Sequence, residues 1–322
     1  MKTIVAVLRG GASEEYEVSL KSGAAVLEQL DRGKYQPLDI FISREGTWHR
    51  GGTPTTPAKA LLGADVAFNV LHGRYGEDGS VQRLLEALGV KYTGSGVFAS
   101  ARAFNKHLTK QALAHLELSL PRSALVSLEE DAGERALELF RAFPMPAIVK
   151  PVAGGSSAGM TLARDLTSLE RGIRLALKSA PHALVEEYIR GREATVGVID
   201  GFRGEKTYAL LPVEIVLPPN ADFFDYAAKY GGETQELCPS NFSTREKEIL
   251  IDAAKRIHTA LGLSHYSRSD FIVSRRGTYF LEANPAAAVG LTRESLLPKA
   301  LQAVGATQKD FLDHVIGLAL AR

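Results

Sequence analysis

The chain has 322 residues, a length that suits two domains or three smaller ones. Hydrophobic residues make up 45% of it and charged residues 23%, which excludes a disordered or collagen-like chain. The formal net charge is +1, so charge gives no reason to expect a nucleic acid or an anionic membrane as a partner. Cys238 is the only cysteine, and no run approaches the roughly 18 apolar residues of a membrane span, so a cytoplasmic location is expected.

The first third of the chain predicts a parallel sheet. Up to about residue 96, short apolar runs alternate with helix-like segments at residues 18–30 and 81–88, the pattern of strands joined by crossover helices. Polar, glycine-rich turns at residues 10–15 and 72–79 follow two of these strands. Because the carboxyl ends of parallel strands meet at one edge of a sheet, we expect both turns to face one crevice.

The rest of the chain has a different pattern. A helix predicted over residues 97–116 leads into strands, a second helix and a glycine-rich loop. Further on come strands, an irregular stretch at residues 218–241, a helix near 244–263, a hairpin and two closing helices. These patterns predict an α/β fold, α+β in its C-terminal half, with three subdomains at residues 1–96, 97–190 and 191–322.

A glycine-rich loop after Lys150 has the composition of a phosphate-binding site. Gly154 and Gly155 allow successive backbone N–H groups to point at one anion, while Ser156 and Ser157 add side-chain donors. No Gly-Lys-Ser/Thr follows, so the segment is not a Walker A loop. A Gly/Ser hairpin turn explains the same residues, and from this segment alone both interpretations stay open.

Two strands of alternating polar and apolar residues predict a hairpin over residues 268–284. A three-residue loop, 275–277, lies between them, and its glycine suits a left-handed backbone conformation. We expect Ser274 and Thr278 to close the hairpin. One face of it would then carry the apolar residues Phe271, Val273, Tyr279 and Leu281.

The other face of this hairpin would carry the polar residues. Asp270 would lie directly opposite Glu282, and Arg268 opposite Asn284. Two facing carboxylates repel each other unless a cation lies between them, and oxygen ligands of this kind favour magnesium. A solvated face on which Arg268 neutralises one acid is the alternative.

Two further groups of charged residues have a plain structural explanation. Lys106 and Lys110 are spaced as on a solvated helix face, and Glu186, Glu187 and Glu193 as on an exposed strand edge. On their own these residues predict no chemistry.

Taken together, the motifs resemble the D-alanine:D-alanine ligase family of the ATP-grasp superfamily over nearly the whole chain. The segments that carry the resemblance are, in order, GGASEEYEVSLKSG, LHGRYGEDGS, YTGSG, NKHLTK, VKPVAGGSSAG, VEEYIRGRE, DYAAKY, SRSDF, LEAN and GLTRESLLP. The resemblance implies an ATP-grasp fold and the ATP-dependent joining of two D-alanines to D-alanyl-D-alanine through an acyl phosphate, for peptidoglycan synthesis. It also implies ATP and two Mg²⁺ ions, with Mn²⁺ as an alternative, small-molecule substrates only, and a homodimer.

The resemblance further implies which residues bind ATP and metal. The ATP site would comprise Lys106, Lys150, Gly155, Ser156, Ser157, Glu186, Glu187, Ile189, Glu193 and Lys229. The segment from Gly155 to Ser157 would close over the γ-phosphate. The metal ions would be held by Asp270, Glu282 and Asn284.

The amino-acid substrates would be bound by a separate set of matching residues. The substrate-binding side chains would be those of Glu15, His72, Tyr230 and Ser295. The residues implied in catalysis are Glu15, Ser156, Arg268 and Gly290. Glu15 would pair with the ammonium of the first substrate and Ser295 with the carboxylate of the second, while Arg268 would stabilise the oxyanion.

One segment departs from the family pattern. The family has Asn-Thr-x-Pro-Gly-Met-Thr after its metal-binding glutamate, whereas this chain has two more residues between Asn284 and Gly290, and Pro285 has no N–H to donate. Three functions therefore stay open. The acceptor is D-alanine, or the same chemistry uses D-lactate, D-serine or another amino acid, or the chain is an ATP-binding paralogue that no longer ligates.

Overall fold

The computed structural model describes residues 2–155, 159–218 and 234–322. Three β-sheets lie in residues 3–92, 123–187 and 192–285, with helices packed against them. The α/β class predicted from the sequence is confirmed. One sheet falls in each predicted subdomain, but the subdomain boundaries at 96/97 and 190/191 stay predictions.

The N-terminal sheet contains the parallel strands predicted from the apolar runs. Its strands are β1 (Thr3–Gly10), β2 (Tyr35–Ile42), β3 (Trp48–Arg50), β4 (Thr53–Thr55), β5 (Val66–Asn69) and β6 (Lys91–Tyr92), in the order β4-β3-β2-β1-β5-β6. The helices of this region are α1 (Tyr16–Gln29), α2 (Pro57–Ala60) and α3 (Ser80–Ala87). Strands β1, β2, β5 and β6 run parallel, while β3 and β4 form an antiparallel edge too short to leave a clear sequence pattern.

The segment predicted as one helix over residues 97–116 is two helices, α4 (Val97–Phe104) and α5 (Lys106–Leu113). Asn105 separates them, because its backbone is extended and its side-chain oxygen accepts the backbone N–H groups of His107 and Leu108. This asparagine cap starts a new helix at Lys106.

The central sheet is antiparallel and has two different faces. Its strands are β7 (Ser123–Ser127), β8 (Ala147–Pro151), β9 (Thr161–Ala163) and β10 (His182–Glu187), in the order β7-β10-β8-β9. Helices α6 (Ala132–Ala142) and α7 (Leu166–Leu177) cover one face, where Val149 and Val185 are buried. Because side chains alternate along a strand, Lys150 and Glu186 point to the opposite face.

The C-terminal sheet is built around the predicted hairpin. Its strands are β11 (Arg192–Asp200), β12 (Thr207–Ala209), β13 (Val213–Val216), β14 (Gln235–Leu237), β15 (Tyr266–Ser274) and β16 (Gly277–Pro285), in the order β14-β13-β11-β15-β16 with β12 beside β11. The helices are α8 (Thr244–Ala260), α9 (Leu296–Ala303) and α10 (Gln308–Ala321). Over the described residues, no helix combines the length and apolarity needed to cross a bilayer.

Helices from one part of the chain pack on the sheets of another. Ala103 of α4 and Leu113 of α5 lie in the core beneath the C-terminal sheet. Phe311 and Val315 of α10 pack in the core that contains Phe68 of the N-terminal sheet. These exchanges hold the first and last thirds of the chain together.

The β15–β16 hairpin does not close where the sequence predicts. Ser274 pairs with Gly277 around a two-residue turn, so the prediction that Ser274 and Thr278 form the closing pair is wrong. With this closure Tyr279 pairs with Ile272, on the side of the sheet away from the core.

A β-bulge restores the register further along the hairpin. The pairing shifts between Asp270 and Phe271, where β16 contains one extra residue. Phe280 therefore packs with Phe271 in the core, and Leu281 points away from the core, contrary to the prediction. Beyond the bulge Asp270 pairs with Glu282, as predicted.

Candidate active site

A cleft runs between the central and the C-terminal sheets. One wall is the face of β8 and β10 that α6 and α7 leave uncovered, and the other is formed by β11, β13, β15 and β16. The predicted site residues that line it are Lys106, Lys150, Gly155, Glu186, Glu187, Ile189, Glu193, Arg268, Asp270 and Glu282. Side chains from distant parts of the chain thus meet in one place.

Asp270 is held in place by four hydrogen bonds. Arg268 donates from Nε to Oδ1 at 3.0 Å and from Nη2 to Oδ2 at 2.9 Å. Thr195 Oγ1 lies 2.6 Å from Oδ1, and Asn284 Nδ2 donates to Oδ2 at 2.9 Å. Burial works against the charge of Arg268, but the neighbouring Asp270 outweighs it and raises the pKa of the guanidinium.

Glu282 is compensated by a lysine from α5. Lys106 Nζ lies 3.6 Å from Glu282 Oε2 and donates to the carbonyl oxygen of Gly154 at 2.7 Å. Burial lowers the pKa of Lys106, and the charge of Glu282 opposes that effect. Lys106 therefore connects Glu282 of β16 with the glycine-rich loop.

Asp270, Glu282 and Asn284 fit a magnesium ion by the chemistry of their side chains. Two carboxylates that are direct cross-strand partners favour a cation beside them, and both offer hard oxygen ligands. Within the described ranges no three His, Cys, Asp or Glu side chains surround a common point. An ion here would thus need further ligands, and phosphate oxygens commonly complete the magnesium shell.

Glu186 is buried between two lysines. Its side chain is 3% exposed; Lys150 Nζ lies 2.5 Å from Oε2, and Lys110 Nζ pairs with Oε1. Burial acts to raise the pKa of Glu186, but the charges of Lys150 and Lys110 outweigh it and lower that pKa. The interpretation of Lys110 and Glu186 as solvated charges is therefore wrong, because α5 packs its lysine face toward the central sheet.

The far end of the cleft is more apolar. Ile189 is buried and lines the cleft together with Ile272, whose cross-strand partner Glu193 lies at the start of β11. Glu187 Oε1 accepts a hydrogen bond from Arg276 Nη2 at 2.6 Å, which ties the central sheet to the β15–β16 turn. This end suits a flat ring with a polar edge.

Glu15 lies against the glycine-rich loop. A Cβ atom built on Gly155 would lie 2.4 Å from Glu15 Oε2, and one built on Gly73 would lie 3.1 Å from the same oxygen. A larger residue at Gly155 would therefore require the Glu15 carboxylate or the loop to shift. The two polar turns of the N-terminal sheet meet at this point, as the sequence predicts.

His72 is buried next to the same turns. Its Nε2 lies 3.2 Å from Ser22 Oγ, and its carbonyl oxygen accepts a hydrogen bond from Ser13 Oγ at 2.6 Å. Burial, and after it the positive charge of Arg268, lowers the pKa of His72 to about 4. The imidazole is therefore neutral at pH 7.

Glu77 is a buried acid that the sequence interpretation missed. Its Oε1 accepts the backbone N–H of Gly73 at 2.6 Å, and its side chain is 5% exposed. Burial, followed by the charge of Glu15, raises the pKa of Glu77 to about 8. The Gly-Glu-Asp-Gly run indicates a polar turn, but nothing in its sequence distinguishes a buried acid from a solvated one.

Two family models match the chain, "D-ala D-ala ligase N-terminus" over residues 4–60 and 49–95 and "D-ala D-ala ligase C-terminus" over residues 114–317. The chain belongs to the D-alanine–D-alanine ligase family. The family resemblance and the ATP-dependent ligase activity it implies are thereby confirmed.

Relatives of this ligase match it over almost its full length. A D-alanine–D-alanine ligase of Geobacter sulfurreducens is 37% identical over 98% of this chain and 93% of its own length. One of Syntrophobacter fumaroxidans is 38% identical over 99% of this chain and 98% of its own. Among solved structures, the VanG D-Ala:D-Ser ligase from Enterococcus faecalis has a TM-score of 0.84 at 28% identity and covers 99% of this chain and 100% of its own. A D-alanine-D-alanine ligase from Coxiella burnetii has a TM-score of 0.84 at 26% identity, covering 100% and 94%.

The segment in which this ligase departs from the family pattern contains a 3₁₀ turn, Ala286–Ala288. Beyond it, Ser295 Oγ accepts the backbone N–H of Thr292 at 3.2 Å and lies 2.8 Å from Thr292 Oγ1. A Cβ atom on Gly290 would lie 2.7 Å from the same oxygen. Gly290 and Ser295 are thus neighbours. Neither is among the described residues that line the cleft, whereas Leu296, which follows Ser295, does line it.

Four predicted site residues of this ligase, Ser156, Ser157, Lys229 and Tyr230, lie outside the described residues.

Proposed function

We propose that this ligase joins two D-alanines to D-alanyl-D-alanine while ATP is cleaved to ADP and phosphate, and so supplies a precursor of peptidoglycan. The observation that carries the proposal is the meeting of two paired acids with three cations in one cleft. The residues concerned are Asp270, Glu282, Lys106, Lys150 and Arg268. Negative charge develops on phosphoryl oxygens during the reaction, and this arrangement suits it.

In the first step an oxygen of the first D-alanine's carboxylate attacks the γ-phosphorus of ATP. The bond to the bridging oxygen breaks, ADP leaves, and an acyl phosphate forms. Lys106 and Lys150 hold the phosphates, with Lys229 near the γ-phosphate, and the loop from Gly155 to Ser157 closes over them. Because an acyl phosphate hydrolyses in water, the closed loop protects it.

Asp270, Glu282 and Asn284 would hold magnesium, or manganese in its place, at two positions. The bound metal supplies positive charge next to the phosphate oxygens. Arg268 and Lys106 keep the two acids in place by the contacts described above.

The first D-alanine binds on the side of the N-terminal sheet. The Glu15 carboxylate pairs with its ammonium, and the neutral imidazole of His72 lies beside it. Ser156 and Tyr230 connect this side with the closing loop. These roles follow the family pattern and are supported by the contact between Glu15 and Gly155.

In the second step the amine of the second D-alanine attacks the acyl carbon, and phosphate leaves. The oxygen of the tetrahedral intermediate carries negative charge, which Arg268 and the N–H of Gly290 stabilise. Losing one such donor costs roughly 3 to 4 kcal/mol of transition-state stabilisation. Ser295 binds the carboxylate of the second D-alanine.

The adenosine part of ATP occupies the apolar end of the cleft. Ile189 and Glu187 border the adenine, and Glu193 binds the ribose. The Glu186 carboxylate is taken by two lysines, so Glu186 contacts the base through its backbone.

A homodimer in the cytoplasm completes the proposal. The balanced charge and single cysteine suit a reducing compartment. Sedimentation at several protein concentrations measures the oligomeric state.

The longer segment before Gly290 favours a second candidate, in which the acceptor is D-serine, D-lactate or another amino acid. The experiment supplies ATP, magnesium and D-alanine alone or with one competing acceptor, and measures ADP release and product mass. D-Alanyl-D-alanine as the main product in every mixture supports the proposal. A mixed product in preference to it supports the second candidate, and ADP release without any condensed product contradicts both.

A further inference from the structure

We propose that Lys110 acts as a positioning residue for the nucleotide phosphates: it neutralises Glu186, so that the charge of Lys150 stays available to ATP. The inference rests on the proposed function, which brings the phosphates to Lys150. Lys110 itself lines no part of the described cleft, and its effect is exerted through Glu186.

The geometry divides one carboxylate between two ammonium groups. Lys150 on β8 and Glu186 on β10 point to the cleft face, and Lys110 reaches the same carboxylate from α5. Each lysine takes a different oxygen of Glu186. The three side chains are 8% exposed or less, so water screens their charges weakly.

Lys110 gives this cluster its net positive charge. Two ammonium groups and one carboxylate leave this cluster with a net charge of +1. Burial opposes the charged form of both Glu186 and Lys110, yet the pKa of Glu186 is lowered by its two lysines and Glu186 opposes the fall in the pKa of Lys110. Without Lys110, Glu186 and Lys150 would form a neutral pair, and Lys150 would no longer attract an anion.

Lys110 has a second contact that a test must separate from this effect. Its Nζ donates to the carbonyl oxygen of Pro121 at 2.9 Å, and Pro121 lines the cleft. Loss of that hydrogen bond would disturb the binding of the whole nucleotide. Neutralisation of Lys150 by Glu186 would weaken only the part of the binding free energy that depends on the phosphate groups.

The experiment compares adenosine with ADP, without magnesium, so that only cations of the chain meet the phosphates. Calorimetry measures both dissociation constants for the wild type, Lys110→Met, Lys110→Arg and the double variant Lys110→Met with Glu186→Gln. Lys110→Met should weaken ADP about tenfold and leave adenosine within about twofold. Lys110→Arg should resemble the wild type, and the double variant should regain most of the lost ADP affinity, because its cluster again carries +1.

Unchanged ADP binding in folded Lys110→Met, equal losses for adenosine and ADP, or no recovery in the double variant would overturn the inference. If the wild type binds no ADP even after magnesium is added, it is the proposed function that fails. If Lys110→Met does not fold, Glu186→Gln alone is measured: its cluster carries +2, so ADP must gain affinity relative to adenosine, and a loss would overturn the inference.

Discussion

Asp270 and Glu282 are direct cross-strand partners, and each is paired with a cation of its own. Arg268 holds Asp270 through two hydrogen bonds, and Lys106 Nζ lies 3.6 Å from Glu282. Without these cations the two adjacent acids would repel each other, and their pairing is the basis of the proposed metal site.

Glu282→Gln should abolish ligation while the fold persists. The amide removes one negative charge from the proposed metal-binding pair, so turnover should fall by at least about 100-fold. The side chain is 30% exposed, so the melting temperature should change little. Steady-state ADP release and circular dichroism measure the two effects. The control is Glu248→Gln on the exposed face of α8. Ligation by Glu282→Gln at the wild-type rate would contradict the assignment of Glu282 to the metal site.

Gly155→Ala should disturb the site of the first substrate. The added methyl group would lie 2.4 Å from Glu15 Oε2, so the loop or the carboxylate must move. We expect a lower kcat and a higher KM for the first D-alanine, measured by varying D-alanine at saturating ATP. The control is Gly317→Ala in α10, where nothing lies within 4 Å of the added carbon. Equal kinetics for both variants would show that Glu15 does not depend on this contact.

Lys299→Met should weaken binding of the second substrate. Lys299 Nζ lies 2.7 Å from Glu236 Oε2 and ties α9, which Ser295 precedes, to β14. The pair is partly exposed and worth up to about 1 kcal/mol, so the KM of the second D-alanine should rise by at most about fivefold. The KM of ATP should stay constant. The control is Lys255→Met, which breaks a surface ion pair elsewhere. A rise in the KM of ATP as large as the rise in the KM of D-alanine would refute the prediction.

His265 should make the protein less stable in acid. Its Nδ1 accepts the backbone N–H of Gly94 at 3.0 Å, and burial, then the charge of Arg322, lowers its pKa to about 4 from an ordinary 6.5. The unfolded chain binds this proton near pH 6.5, so the stability is complete above that pH. It is lost as the pH falls toward 4, by up to ~3 kcal/mol.

The measurement is urea unfolding at pH 7 and pH 4.5 for the wild type and His265→Asn. Asparagine tolerates the φ of 66° at this position and offers an oxygen to Gly94, but it binds no proton. The variant should therefore lose less stability between the two pH values. His115→Asn on the surface is the control, and an equal loss in His265→Asn would show that another group causes the acid sensitivity.

The pairing of Asp270 with Glu282 was predictable, although two of the steps that led to it were wrong. The turn is one residue shorter than predicted, and the bulge at Leu281 adds that residue back. Alternation along a strand gives the face of a side chain, but bulges depend on the packing of Phe271 and Phe280 against α8, which the local sequence does not reveal.

The burial of Lys110, Glu186 and Glu77 was not predictable from local pattern. A lysine four residues from another on a helix is usually solvated, and only the central sheet packed against α5 changes that. The break at Asn105 was similarly hidden, because the apolar spacing continues across it while the asparagine cap interrupts the backbone. In each case tertiary contacts or a capping side chain determine a burial or a helix end that the spacing of residues does not specify.

The most direct test of the account follows the oxygen atoms of the first substrate. D-Alanine labelled with ¹⁸O in its carboxylate is incubated with the protein, ATP and magnesium, and mass spectrometry measures the label in the released phosphate. One ¹⁸O atom should appear in phosphate for each dipeptide formed, because the attacking oxygen leaves with the phosphoryl group. Phosphate free of label, with the ¹⁸O atom that is lost on peptide-bond formation found in water instead, would contradict the acyl phosphate and the cleft chemistry.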